Sequence, residues 1–223
     1  QARNALSQGM LTALNEAFAA IAADASVRVV ILAGAGPAFC AGHDLKEMRA
    51  AGYTCDYAEQ LFADCAALMQ AIVHLPKPVI ARVHGIATAA GAQLVASADL
   101  AVAAEDTRLA TPGVNIGLFC STPMVALSRN MSNKHAMQML LTGDLIDAPT
   151  ALRFGLVNEL VPADQLDAKT LELASKLVAK SELPLAEAYA YTRDVMVANL
   201  QARDAQEGIG AFIDKRPPVW CGQ

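Results

Sequence analysis

The sequence predicts an α/β fold: a mostly parallel, helix-covered sheet followed by an all-helical C-terminal region. Three observations predict it. Short apolar runs rich in β-branched residues alternate with stretches of helical periodicity as far as residue 162. Two of those runs end in strings of glycine and alanine, at 34–42 and 85–92. Beyond Pro162 only helical periodicity remains.

Ser7 is placed to cap a first helix whose apolar positions Met10, Leu11, Leu14, Phe18 and Ile21 share one face, ending near Asp24. Val27–Ala33 is a buried strand by composition. Asp44 is an N-cap for a short helix over 45–48, and the stretch 52–56 is a loop. Residues 58–75 form a long helix with Leu61, Phe62, Cys65, Leu68, Met69 and Ile72 on one face and Pro76 beyond its end. A strand at 78–83 turns through Gly85 into Ala87-Thr88-Ala89-Ala90-Gly91-Ala92 and then into a helix over 93–98. Leu100–Ala104 is the next strand, and Thr122-Pro123 reads as the cap and first position of another helix. Helices at 132–141 and 148–154 are closed by Gly143 and Gly155, and 156–161 is a last strand. Helices at 164–180, 184–199 and 204–215 complete the chain, with a boundary placed near 162, so that 1–162 is the core and 163–223 the helical region.

Composition narrows the function. The chain has 223 residues, a net charge of −5 and no basic run, which argues against nucleic acid as a partner. No apolar stretch has transmembrane length, and Gln1-Ala2-Arg3-Asn4 is not a signal peptide. Cys40, Cys55, Cys65, Cys120 and Cys221 are odd in number and lack paired spacing, so reduced thiols in an intracellular compartment are expected. Each small-residue turn offers free amide N–H groups, and the one at 85–92 opens directly into a helix. Such turns suit either a developing negative oxygen or close packing of helix on sheet.

Phe39-Cys40-Ala41-Gly42-His43-Asp44-Leu45 resembles the first signature of the enoyl-CoA hydratase/isomerase (crotonase) superfamily. Val83 to Leu94 followed by Thr111-Pro112 resembles the second. The similarity extends from Asn4-Ala5-Leu6-Ser7 to Ala211–Arg216, with a narrower match to one branch of the family over Gly85–Gly91 and Ala110–Pro123. The resemblance implies a spiral of repeated β-β-α units and a C-terminal helical region that packs between subunits in a homotrimer or a dimer of trimers. It implies an opening strand or hairpin ahead of Asn4, and location in the cytoplasm of a bacterium or the mitochondrial matrix of a eukaryote. No permanently bound cofactor is implied; coenzyme A enters as part of an acyl thioester. Phe212 and Lys215 match positions that touch its nucleotide, although a helix interface and a solvated helix end explain them equally well.

Carried over residue by residue, the two backbone N–H donors of an oxyanion hole fall at His43 and Ala90. The His43 side chain is expected to face solvent, with an acid or base role in the acyl pocket as the lesser alternative. The two glutamates with which hydratases of the family move protons fall at Gln93 and Gly113, and the single carboxylate of some isomerases falls at Gly113 or near Ser121. From Leu109 to Met124 there is no Asp, Glu or His. Gln93 can orient a water but cannot accept its proton at neutral pH. Cys120 is a weak candidate nucleophile, more simply read as packing. Lys46 and Arg82 are weak candidates for coenzyme A phosphates. The resemblance therefore implies an acyl-CoA-binding protein, nominally an enoyl-CoA hydratase. Two alternatives stand beside it: another thioester reaction such as hydrolysis, decarboxylation or isomerisation, or a non-catalytic binding or regulatory role.

Overall fold

The computed structural model describes residues 3–180 and 185–222, with backbone alone for 185–191, and divides into two compact units, Gln1–Lys180 and Ser181–Gln223. In the first, α1 (Gln8–Ala23) leads to β1 (Val30–Ala33), α2 (Leu45–Ala50), α3 (Cys55–Val73), β2 (Val79–Val83), β3 (Ile86–Thr88), α4 (Ala90–Ser97), β4 (Leu100–Ala104) and β5 (Arg108–Ala110). A 3-10 turn over Pro112–Ile116 is followed by α5 (Ser121–Asn130), α6 (Asn133–Thr142), β6 (Ile146–Asp147), α7 (Ala148–Phe154), β7 (Glu159–Val161) and α8 (Leu166–Val178). The strands form an all-parallel sheet, β1-β2-β4-β7, and a smaller sheet, β3-β5-β6, in which β3 and β5 are parallel and β5 and β6 antiparallel.

Burial on both faces explains why β2 and β4 read as continuous apolar runs. Val79, Ala81 and Val83 face a core that includes Leu61, Leu68, Ile72, Leu94 and Leu127, while Ile80 and Val102 face Val161 and Leu166. The first unit reaches Lys180 because Leu173, Ala174 and Leu177 of α8 pack on that second face, and Arg82 of β2 pairs with Asp167. The expected boundary near 162 marks the change to helical periodicity rather than the end of this packing.

Several limits move for identifiable reasons. Strand β1 begins at Val30 rather than Val27. The Val30 N–H donates to the Pro78 carbonyl, and Pro78 has no N–H with which to extend the ladder. Strand β7 begins at Glu159 because the Leu156 N–H is taken by the Ala151 carbonyl at the end of α7. Helix α5 starts at Ser121 with Cys120 as N-cap, not at Thr122; Pro123 is accommodated because the first-turn N–H groups have no intrahelical acceptor. Helix α3 starts at Cys55, and the small-residue string itself holds β3 and the first turn of α4.

In the second unit α9 (Leu185–Gln201) precedes α10 (Arg203–Ile213). Residue 184, where a helix was expected to begin, lies outside the described residues. The end of the chain folds back on α10. Glu207 accepts from Arg216 at 2.6 and 2.9 Å and from the Val219 N–H at 2.8 Å, and Asp204 accepts from the Cys221 and Gly222 N–H groups.

Candidate active site

The site is built where the loop after β1 meets the start of α4. Cys40 forms a parallel bridge with Ala87: its N–H donates to Ile86 at 3.1 Å and its carbonyl accepts from Thr88 N–H at 3.0 Å. Phe39 N–H donates to His84, and the Thr88 hydroxyl donates to Ala41. Asn4 braces the loop from outside, its Nδ2 lying 2.8, 2.7 and 3.1 Å from the carbonyls of Ala35, Ala38 and Phe39. Gly91 explains the small residues: a Cβ there would lie 2.1 Å from the Cys40 carbonyl oxygen. This backbone-to-backbone contact is possible only for glycine.

The residue before His43 is thereby brought against the start of α4. His43 is held by a bridge to Leu6, with Leu6 N–H donating to Gly42 and Asp44 N–H to Leu6. Gly42, at φ +89°, presses against the start of α4: a Cβ there would lie 3.0 Å from Ala89 Cβ and 3.6 Å from the Ala90 nitrogen. Ala89 adopts φ 51° and ψ −117°, a conformation costly for any residue with a Cβ, and this turns the chain so that Ala90 begins α4. Among the described residues, neither the His43 N–H nor the Ala90 N–H donates to a protein acceptor. Because that φ/ψ suits glycine, Ala89→Gly is expected to raise the melting temperature by roughly 2–4 °C, given about 1 kcal/mol of net relief, as measured by thermal unfolding.

The His43 side chain corrects the expectation that it faces solvent. Its ring meets Phe62 of α3 edge-on, with centroids 5.4 Å apart and planes at 86°. Both ring nitrogens are buried, and the Leu6 backbone is the protein polar group that acts on the ring. Burial lowers its pKa from the ordinary value, so the neutral imidazole dominates at pH 7.

The positions of the two family glutamates behave differently. Gln93 is only 5% exposed; its Oε1 has no partner, and neither does the Oγ1 of fully buried Thr111. An unsatisfied buried polar group of this kind costs about 1–3 kcal/mol, which a polar ligand or water would offset. At Gly113 the space for a side chain is filled. A Cβ would lie 2.2 Å from the Leu118 carbonyl oxygen and 2.8 Å from Cys120 Sγ. The Leu118 N–H also donates to the Gly113 carbonyl, so the segment 113–118 closes on itself. Cys120 is buried, and desolvation raises its thiol pKa, which disfavours the thiolate a nucleophile needs.

Of the other expected residues in the first unit, Ser121, Lys46 and Arg82 take no part in these contacts. Ser121 is exposed, its hydroxyl 3.4 Å from the Phe119 carbonyl. Lys46 is exposed, and Arg82 is engaged by Asp167. Asp44 caps α2, accepting from Lys46 and Glu47 N–H groups as expected. Phe212 is 85% exposed on α10, and Lys215 follows that helix with φ 53°. Sequence reasoning missed Tyr57, whose buried hydroxyl lacks a partner, the pairing of Phe62 with His43, and the bracing by Asn4. A signal existed for Tyr57 and Phe62, which stand on α3, the second helix after the first loop, but nothing local specified their contacts.

The parallel sheet, with the loop after β1 stitched to the start of α4, belongs to an α/β protein of crotonase type. The match of the enoyl-CoA hydratase/isomerase family model to residues 1–223 places the chain in that family. The chain is 46% identical over 233 residues to enoyl-CoA hydratase domain-containing protein 3, mitochondrial, of Mus musculus, covering 98% of this chain and 77% of the relative. Among solved structures, the human form of that protein superposes with a TM-score of 0.79 at 44% identity, over 98% of this chain and 92% of the other. An enoyl-CoA hydratase of Mycobacterium smegmatis superposes with a TM-score of 0.83 at 51% identity, over 99% and 91%. The narrower branch resembled by Gly85–Gly91 and Ala110–Pro123 is thus that of domain-containing protein 3.

Proposed function

We propose that this chain binds acyl-CoA thioesters and stabilises an enolate oxygen between the His43 and Ala90 N–H groups, without the acid/base pair that hydration requires. The observation that carries the reading is the stitched pair of loops, which presses Gly42 against the start of α4 while the His43 and Ala90 N–H groups keep no protein acceptor among the described residues. Backbone donors that are fixed before the ligand arrives act on developing charge without reorganisation, and one donor is typically worth ~10²–10³ in rate. Gln93 is neutral and Gly113 has no room for a side chain, which supports a thioester reaction other than water addition: hydrolysis, decarboxylation or isomerisation. A non-catalytic acyl-CoA-binding role is the remaining reading on the same site.

The homotrimer, or dimer of trimers, belongs to the proposal. It is supported by apolar residues left exposed around α5 and α6: Ile116, Leu118, Phe119, Val125, Leu141 and Leu145. Contact of Phe212 and Lys215 with the nucleotide of coenzyme A belongs to it as well. So does location in the mitochondrial matrix, or in the cytoplasm if the source is bacterial; five cysteines, none of them in a disulfide, fit either. No helix among the described residues is long and apolar enough to cross a membrane.

The test is calorimetric binding of butyryl-CoA beside its thioether analogue, which lacks the carbonyl oxygen. Two hydrogen bonds at about 0.5–1.5 kcal/mol each predict roughly 5- to 150-fold tighter binding of the thioester. Equal affinities would remove the N–H pair from the account.

A further inference from the structure

We infer that the His43 imidazole is the base that removes, and the acid that returns, a proton at the α-carbon of the bound acyl thioester. The inference rests on the reading of His43 and Ala90 as donors to the thioester oxygen, and goes beyond it by naming the group that moves the proton.

Three features of position support it. The ring is carried by the residue whose own N–H is the first donor, so it lies within one side chain's length of the carbonyl and its α-carbon. It is held in place before any ligand arrives, by the bridge to Leu6 on the backbone and by the edge of Phe62 on the ring. Both nitrogens are buried; the Leu6 backbone is the protein polar group that acts on the ring, and since a neutral imidazole has one donor and one acceptor to satisfy, one nitrogen is left for a ligand. Burial also keeps the ring unprotonated at neutral pH, the form a base requires.

Elimination points the same way. Gln93 cannot accept a proton, and Leu109–Met124 holds no carboxylate or histidine. Asp44 is engaged as the cap of α2. The His84 ring lies 2.7 Å from the Gly36 carbonyl through Nε2. Cys40 and Cys65 are pushed up to about 11 by burial, and the Tyr57 phenol is also raised, so none of them is a base near pH 7.

The step balances without a further reactant. The lone pair of the unprotonated ring nitrogen takes the α-proton, and the C–H bond breaks. Its electron pair forms the C=C bond of the enolate, and the carbonyl π-pair moves onto the oxygen between the two N–H groups. Reversal returns a proton to the α-carbon, and exchange of the ring N–H with solvent allows that proton to come from water.

The experiment is exchange of the α-protons of butyryl-CoA in D2O, followed by NMR, with calorimetric binding on the same protein. The unaltered chain is expected to catalyse exchange. His43→Gln and His43→Ala, which keep the backbone donor, are expected to lose at least hundredfold in the exchange rate measured at butyryl-CoA concentrations that calorimetry shows to be saturating for each variant. Exchange by either variant at a rate near that of the unaltered chain would overturn the inference and leave the donor pair standing. So would binding without exchange by the unaltered chain. Absence of binding by the unaltered chain would overturn the thioester reading and the proton transfer together.

Discussion

Gly91→Val is expected to abolish measurable butyryl-CoA binding and to lower the melting temperature by roughly 2–12 °C. The added Cβ would lie 2.1 Å from the Cys40 carbonyl oxygen and 3.0 Å from Cys40 Cβ. Backbone atoms on both sides prevent a side-chain rotation from relieving the clash, so α4 and the first loop must separate. Overpacking of this kind costs about 1–3 kcal/mol, and in a chain of this size each kcal/mol shifts the midpoint by about 2–4 °C. The effect on binding should exceed the effect on stability. The same displacement breaks the Thr88 N–H to Cys40 bond and moves Ala90 away from Gly42, so the two donors no longer share one oxygen. Thermal unfolding and calorimetry on one preparation separate the two effects. Retained affinity would show that the loop junction does not set the donor spacing.

Restoring the two glutamates is the second large effect, and it is expected to fail. Gln93→Glu preserves shape but places a carboxyl at a site only 5% exposed, where burial disfavours the charged form. Gly113→Glu is worse, since its Cβ would stand 2.2 Å from the Leu118 carbonyl oxygen. The double variant should show no hydration of crotonyl-CoA and an unfolding midpoint lower by roughly 2–12 °C, most of it from Gly113→Glu alone. From sequence, that pair of changes looks like a test of a site otherwise built for hydration. The structure changes its meaning, because the 113–118 turn has closed over the place a glutamate would occupy. Efficient hydration by the double variant would show that this turn opens at little cost.

The parts of the fold legible in the sequence are those whose signals are local. Helix α7 begins and ends where Asp147, Pro149 and Gly155 place it, since cap, first-turn proline and left-handed glycine act within one turn of the chain. Ser7 and Asp44 are likewise the N-caps expected, while Ser132, expected as the first residue of its helix, is that helix's cap. Strands β3, β5 and β6, with three, three and two residues, are too short for any periodicity and exist through pairing with one another. The small-residue strings announced a close approach but not its partner. That Gly91 meets Cys40, and that Gly42 meets Ala89, are contacts between segments far apart in sequence.

The candidate site divides in the same way. Its missing carboxylates could be read directly, because a side chain's chemistry does not depend on the fold. The orientation of His43 could not, because it depends on Phe62 of α3 and on the bridge to Leu6. A loop histidine with no visible partner reads as solvated until a distant helix covers it.

The measurement that tests the central claim most directly is a spectrophotometric hydration assay with crotonyl-CoA and a longer enoyl-CoA on the full chain, run beside calorimetric binding of butyryl-CoA. The account predicts saturable binding with no hydration above background. Turnover at rates typical of enzymes, about 1–10³ s⁻¹, would contradict it, since Gln93 and Gly113 would then not mark the loss of hydration.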